Sequence, residues 1–216
     1  MKRNIEIVLL TAVGVMMTGC DNVPSTLSSP AIEGRVIEAG TGRPIAQAIV
    51  VLTWSATIVP TSFTGHNPAT ICYHAATTVS DPQGRYVVPS WTKPAKYHVP
   101  NGNFFATAYK LGHAWAAVDR DTVQLKPAST SEQQRIFELR SDTPSCDRGG
   151  ASTRALYPMI EAIYREARQI ARTEEDNFSV ELLGQIAAGA AIASDDEVSA
   201  ATYNEQLNEF VKDHLQ

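Results

Sequence analysis

The chain lacks the motifs around which most enzyme sites are built. None of His66, His74, His98 or His113 opens an H-x-x-E or H-E-x-x-H pattern, so the zinc-peptidase signature is absent. Neither a G-x-S-x-G elbow nor a Walker-type loop occurs, which removes the best-marked hydrolase and nucleotide sites. Positive charge is scarce and dispersed: 18 Lys and Arg stand against 23 Asp and Glu, a net charge of −5. With no basic block to track phosphates, the expectation is no nucleic-acid partner. No polybasic membrane patch occurs either, and no apolar run reaches the roughly 20 residues a bilayer-spanning helix requires. Cysteine is sparse, limited to Cys20, Cys72 and Cys146.

What is present begins at the N-terminus. Met1-Lys2-Arg3 is a short basic start, Ile7 to Met17 is apolar, and Met17-Thr18-Gly19-Cys20 follows. Charged n-region, short h-region and small-residue cleavage site, in that order, form a secretory signal; the competing readings are an uncleaved membrane anchor or a buried helix. Ending on Gly-Cys, the segment resembles the lipobox of bacterial lipoproteins, with Met17 where Leu is usual. The resemblance implies a signal peptide over 1–19, cleavage before Cys20, diacylation of the Cys20 sulfur and acylation of its new amino group. It places the protein on the cell membrane or outer membrane, lipid-anchored and facing the periplasm. Asp21 resembles the inner-membrane retention signal of enteric bacteria, but sorting rules differ between bacteria and the choice of membrane stays open.

With Cys20 lipidated, Cys72 and Cys146 are an even pair in an oxidising compartment, and a disulfide between them is expected. It closes a loop of about 75 residues, worth roughly 4 kcal/mol in the chain-entropy account. The alternatives are two free buried thiols or a metal site. Cys72 and His74 sit two apart, but no second close pair of ligands accompanies them.

Residues 20–31, containing Asp21 to Pro30, are polar, rich in Ser and Pro and aperiodic, and read as a flexible tether. Over 32–141 short β-branched and aromatic runs alternate with turn residues, the texture of a β-sandwich. Expected strands are Ile32–Ile37, Ala48–Trp54, Tyr73–Ser80, Arg85–Val88, Phe104–Tyr109, Ala114–Val118 and Arg135–Leu139, with Ile58 to Thr70 as an exposed loop. After Gly149-Gly150 the period changes. Leu156, Met159, Ile160, Ile163, Ala167 and Ile170 make one helical stripe; Leu182, Leu183, Ile186, Ala187 and Ala190 make a second. Ser194-Asp-Asp-Glu197 opens a third helix, with Tyr203, Leu207, Phe210 and Val211 on one face. The tail over 152–216 is thus a small α-helical region, marginal alone, and docking on its own β unit is expected over docking on a partner.

The β unit resembles the carboxypeptidase regulatory-like domain, a seven-stranded transthyretin-like (Ig-like) sandwich. The matching residues are Gly34-Arg-Val36, Thr41-Gly-Arg-Pro-Ile45, Ala48-Ile-Val50, Thr78-Val-Ser-Asp81, Gly84-Arg-Tyr86 and Gly112-His113. The resemblance implies a non-catalytic module, which in its namesake enzymes accompanies a zinc peptidase domain that has no counterpart here.

The remaining chemical groups have bland readings. The histidines lack ligand spacing and read as structural or surface groups. Trp54, Trp91 and Trp115 read as core, against sugar stacking on an exposed face. Glu174-Glu-Asp176 and Asp195-Asp-Glu197 read as helix starts complementing the helix dipole, not as catalytic or calcium-binding clusters. No catalytic residue, cofactor or metal is therefore assigned. The expectation is a non-enzymatic envelope lipoprotein acting through protein–protein contacts. The alternatives are a glycan- or peptidoglycan-binding module, marked by two tryptophans sharing a solvent-facing groove, and a hydrolase without a recognisable motif.

Overall fold

The computed structural model describes residues 26–58, 69–95, 98–100, 102, 104–146 and 151–193, with the isolated positions 205, 208, 209 and 212. In chain order the elements are β1 (Thr26–Ser29), β2 (Ile32–Glu38), β3 (Ile49–Ile58), β4 (Ala69–Val79), β5 (Arg85–Val88), β6 (Trp91–Pro94), β7 (His98–Pro100), β8 (Phe105–Tyr109), β9 (His113–Asp119), β10 (Thr122–Pro127), α1 (Glu132–Ser141), α2 (Ala151–Ile170) and α3 (Glu174–Ile192). This is a β-rich body followed by helices.

The strands form three sheets. One runs β5-β2-β10-β9, with β10 parallel to β2 and the other pairs antiparallel. The second has β3 at its centre, β4 on one side, and β7 and β8 in succession on the other. The third is a two-stranded ribbon of β1 and β6. Alternation along the strands turns Val36, Val50, Leu52, Tyr86, Val88, Val123 and Leu125 into one shared core between the two larger sheets.

The β3 sheet is covered on both faces. Val50, Val51 and Leu52 are consecutive and all fully buried, the pattern of a strand with no solvent side. Val50 and Leu52 enter the core between the two larger sheets, while Val51 joins Ala75, Tyr109 and the helices. The α2 stripe of Leu156, Met159, Ile160, Ile163 and Ala167 is buried in that second core together with Leu183, Ala187 and Ala190 of α3. Gly184, Ala188 and Gly189 are also buried, and their small side chains let α3 approach closely. The described helices of the tail, α2 and α3, therefore dock on the β unit of the same chain. Two polar contacts add to the packing: Ser152 donates to the Tyr73 carbonyl at 3.2 Å, and Thr77 donates to the Ala155 carbonyl.

Several expectations are corrected. Arg135–Leu139 is helical, not a strand, because Ser131 caps α1 by accepting from the Gln134 N–H, and Arg135, Ile136 and Leu139 share its buried side. The tether expected over 20–31 includes β1, held to β6 by backbone pairing from Thr26↔Pro94 to Ser29↔Trp91. Strand β10, absent from the expected set, carries alternating buried Val123 and Leu125. On α3, Ile186 is exposed, not on the buried stripe. The third helix, Ser194–Val211, lies outside the described residues apart from Glu205 and the polar Asn208 and Glu209, which with Lys212 are helical and exposed.

A charged seam ties α1 to α2. Arg135, 4% exposed, donates from Nε and Nη2 to the two Glu166 carboxylate oxygens, both at 2.8 Å. Tyr109 on β8 donates its hydroxyl to Glu166 Oε2 at 2.7 Å, and Glu138 Oε2 lies 3.4 Å from Arg135 Nη1. Burial and the Glu166 carboxylate push the Tyr109 phenol well above its ordinary range, which keeps it a donor.

Buried pairs of this kind are costly to break and cheap to replace whole. Arg135→Met is expected to lose about 3–5 kcal/mol in urea unfolding, because Glu166 is left charged and buried. Arg135→Met with Glu166→Gln is expected to recover most of it, since the new amide is uncharged and its oxygen still accepts from Tyr109. A loss under about 1 kcal/mol for the single variant, the size of an exposed pair, would contradict the seam.

Candidate functional site

Cys20, the expected lipidation site, lies outside the described residues. Cys72 and Cys146 lie within disulfide distance, with Cα atoms 5.0 Å apart, inside the roughly 4.4–6.8 Å a bridge needs. Cys72 sits on β4, at a register shift opposite Ser55; Cys146 follows α1. Both pack against the helical core, so a bond between them would staple the α1–α2 connection to the sheet.

The tryptophans do not share a solvent-facing groove. Trp54 is buried and meets Trp91 edge-on at 5.4 Å between ring centroids. His74 packs against both, 4.3 Å from Trp91 and 5.2 Å from Trp54. Phe104 and Tyr73 extend the cluster, which fills the space beneath the β1–β6 ribbon. Burial, with a smaller contribution from the Lys93 charge, pushes His74 down to about 4. Its Nδ1 and the Trp91 Nε1 are buried without a hydrogen-bond partner among the described residues. His74 is thus a neutral packing ring. His113 Nδ1 lies 3.2 Å from the Leu111 carbonyl; His66 is outside the described residues, and only the backbone of His98 is within them.

Trp115 stands apart, on the edge strand β9. Its backbone N–H donates to Asp142 Oδ2 at 2.9 Å, so the residue ending α1 also covers the sheet edge. Burial raises the Asp142 carboxyl above its usual value, outweighing the Trp115 hydrogen bond and the Arg135 charge. Beside it lies a cleft of about 280 Å³, lined by Trp115, Phe105, Thr53, Thr107, Asp142 and the 143–145 segment. Its lining has aromatic faces, hydroxyls and one carboxylate, but neither histidine nor lysine. It offers aromatic and hydroxyl surfaces for binding.

No group of three His, Cys, Asp or Glu able to hold a metal occurs among the described residues. Glu174, Glu175 and Asp176 occupy the first turn of α3, and Asp176 with Thr173 forms a capping box; Asp195-Asp-Glu197 lies outside the described residues. Among those described, no helix is long and apolar enough to cross a membrane.

Sequence reasoning missed the Arg135–Glu166–Tyr109 seam. A signal existed: Glu166 sits three residues after Ile163 and beside Ala167, at the margin of the apolar stripe. It missed the outer apolar surface as well. Phe137 on α1 is 62% exposed and Phe178 on α3 is 67% exposed. The two helices meet there, with Arg140 donating to Ser179 at 3.3 Å.

The His74 environment has a pH signature. The unfolded chain binds a proton near the ordinary 6.5 whereas the folded chain resists until about 4. Stability is therefore expected to fall as pH drops through that window, and the difference from His74→Phe isolates the contribution. Identical pH dependence in variant and wild type would contradict a neutral, buried ring. Comparison with family models, with curated proteins and with solved structures returns no match for this chain.

Proposed function

We propose that the chain is a lipid-anchored envelope protein, attached through Cys20, that works by protein–protein contact in the periplasm and catalyses no reaction of its own. In this reading the β unit is a carboxypeptidase regulatory-like, transthyretin-like sandwich. The resemblance motifs support it through the constraints they meet in space. A Cβ at Gly34 would overlap the Tyr86 ring and the Asp121 carbonyl, and Tyr86 donates its hydroxyl to that same carbonyl at 2.7 Å. Gly84 adopts φ +71°, a conformation glycine enters without strain, and its carbonyl accepts from the Val36 N–H at 2.7 Å. The motifs thus act as one packing unit.

The observation that carries the contact reading is the pair of exposed phenylalanines, Phe137 and Phe178. The helices have already buried their inner stripes on the β3 sheet, so this outer apolar surface serves no packing among the described residues. Exposed aromatic surface beside polar residues marks interaction sites. A glycan-binding reading has its own support, the cleft that sets Trp115 beside the exposed Phe105; aromatic faces among hydroxyls suit a sugar ring. Protein contact is preferred because only one tryptophan enters that cleft.

Two measurements test the proposal. Metabolic labelling with a palmitate analogue is expected to mark the wild type and not Cys20→Ser; equal labelling would overturn the anchor. A photoreactive residue at Phe178, in lipidated protein in its native membranes, is expected to give a discrete protein adduct that Phe137→Ser weakens. Adducts no different from those at exposed Val87 on β5 would overturn the contact surface.

A further inference from the structure

We propose that the pole of the molecule built from the β1–β6 ribbon and the Ile58 end of β3 lies against the phospholipid surface. This rests on the lipid-anchor reading and adds to it an orientation. The first observation is a length. Cys20 and Thr26, the first residue of β1, are joined by a chain segment that spans no more than about 20 Å when fully extended. The far end of the segment is fixed, because β1 pairs with β6 along its whole length and Leu27 is buried with Ala56 and Ala95. The anchor is therefore a short lead to a rigid point, not the longer flexible tether the composition implies.

The second observation is where that point lies. Thr26 pairs with Pro94, and Ile58 pairs with His98. Pro94 and His98 are separated by at most about 14 Å of chain, so both pairings mark one pole. β3 is 10 residues long, which places Lys110, next to the Tyr109–Ile49 pairing, about 30 Å from that pole. A lead of about 20 Å holds the ribbon end near the bilayer and leaves the Lys110 end remote.

Charge points the same way. The ribbon and the β3 sheet contain no Asp or Glu in any strand. The strand carboxylates Glu33, Glu38 and Asp119 all belong to the other sheet. The pole instead offers Lys93 and Tyr73, whose hydroxyl donates to the Pro94 carbonyl, with exposed Thr26, Ser28 and Pro94 around them. A lysine with no carboxylate on the neighbouring ribbon strands suits an anionic headgroup layer.

The test is lysine footprinting of the full-length lipidated protein in phosphatidylethanolamine–phosphatidylglycerol vesicles. A water-soluble acylating reagent is applied, and Lys93 modification is read relative to Lys110 and Lys126. The reference is a variant with about 20 Gly and Ser residues inserted between Asn22 and Val23, a flexible lead that releases the pole. The ratio for Lys93 is expected to be several-fold lower in the wild type than in the reference, and Leu27→Asp, which unpins β1, is expected to raise it. Equal ratios in wild type and reference would overturn the orientation while leaving the anchor intact. A Cys20 peptide without lipid mass, from protein that does not sediment with vesicles, would overturn the anchor reading and the orientation with it.

Discussion

The structure depends on one constraint: the sheet centred on β3 has apolar side chains on both faces, and each face must be covered. Val50 and Leu52 require the second sheet; Val51, Ala75 and Tyr109 require the helices. A free-standing β body would leave the latter face in water, at a cost of roughly 1.5–3 kcal/mol for each large side chain uncovered. The helices have the reciprocal need, since the apolar stripe of α2 is only partly covered by α3 without the sheet. The layers are therefore parts of one folding unit, and the short α1–α2 connection beside Cys72 and Cys146 keeps them together.

Polar groups inside this arrangement define how the layers meet. Apolar packing between α1, α2 and the sheet tolerates sliding, whereas the two-pronged Arg135–Glu166 contact, with Tyr109 as a third member, fixes one register. Asp142 plays a related part at the sheet edge, where its carboxylate receives the Trp115 N–H. Both features depend on α1, whose cap at Ser131 sets its direction.

Much of this was legible in the sequence, and the misses have physical reasons. The strands β2, β3, β5, β8 and β9 follow from β-branched and aromatic runs between Gly- and Pro-containing turns. The α2 stripe follows from its period, and the cysteine pair from parity. Arg135-Ile-Phe-Glu-Leu139 carries a β-branched and an aromatic residue like a short strand, yet also matches a helix with Arg135, Ile136 and Leu139 on one side; the Ser131 cap decides between them. Thr26–Ser29 has a linker's composition and becomes a strand because β6 offers an edge and Ala56 and Ala95 receive Leu27. Composition cannot report a partner brought near by the rest of the fold. The same holds for the candidate surfaces: Phe137 and Phe178 are ordinary helix residues in sequence, and only the packing of the other faces leaves them outside.

Sheets and helices form one cooperative unit. All three tryptophans lie on strands of the β body and all three helices outside it, so two optical probes separate the layers. Urea unfolding followed by tryptophan fluorescence and by helical circular dichroism is predicted to give coincident transitions with one midpoint and one slope. A helical transition at lower urea, with tryptophan fluorescence still native, would contradict the claim and make the tail an independent appendage.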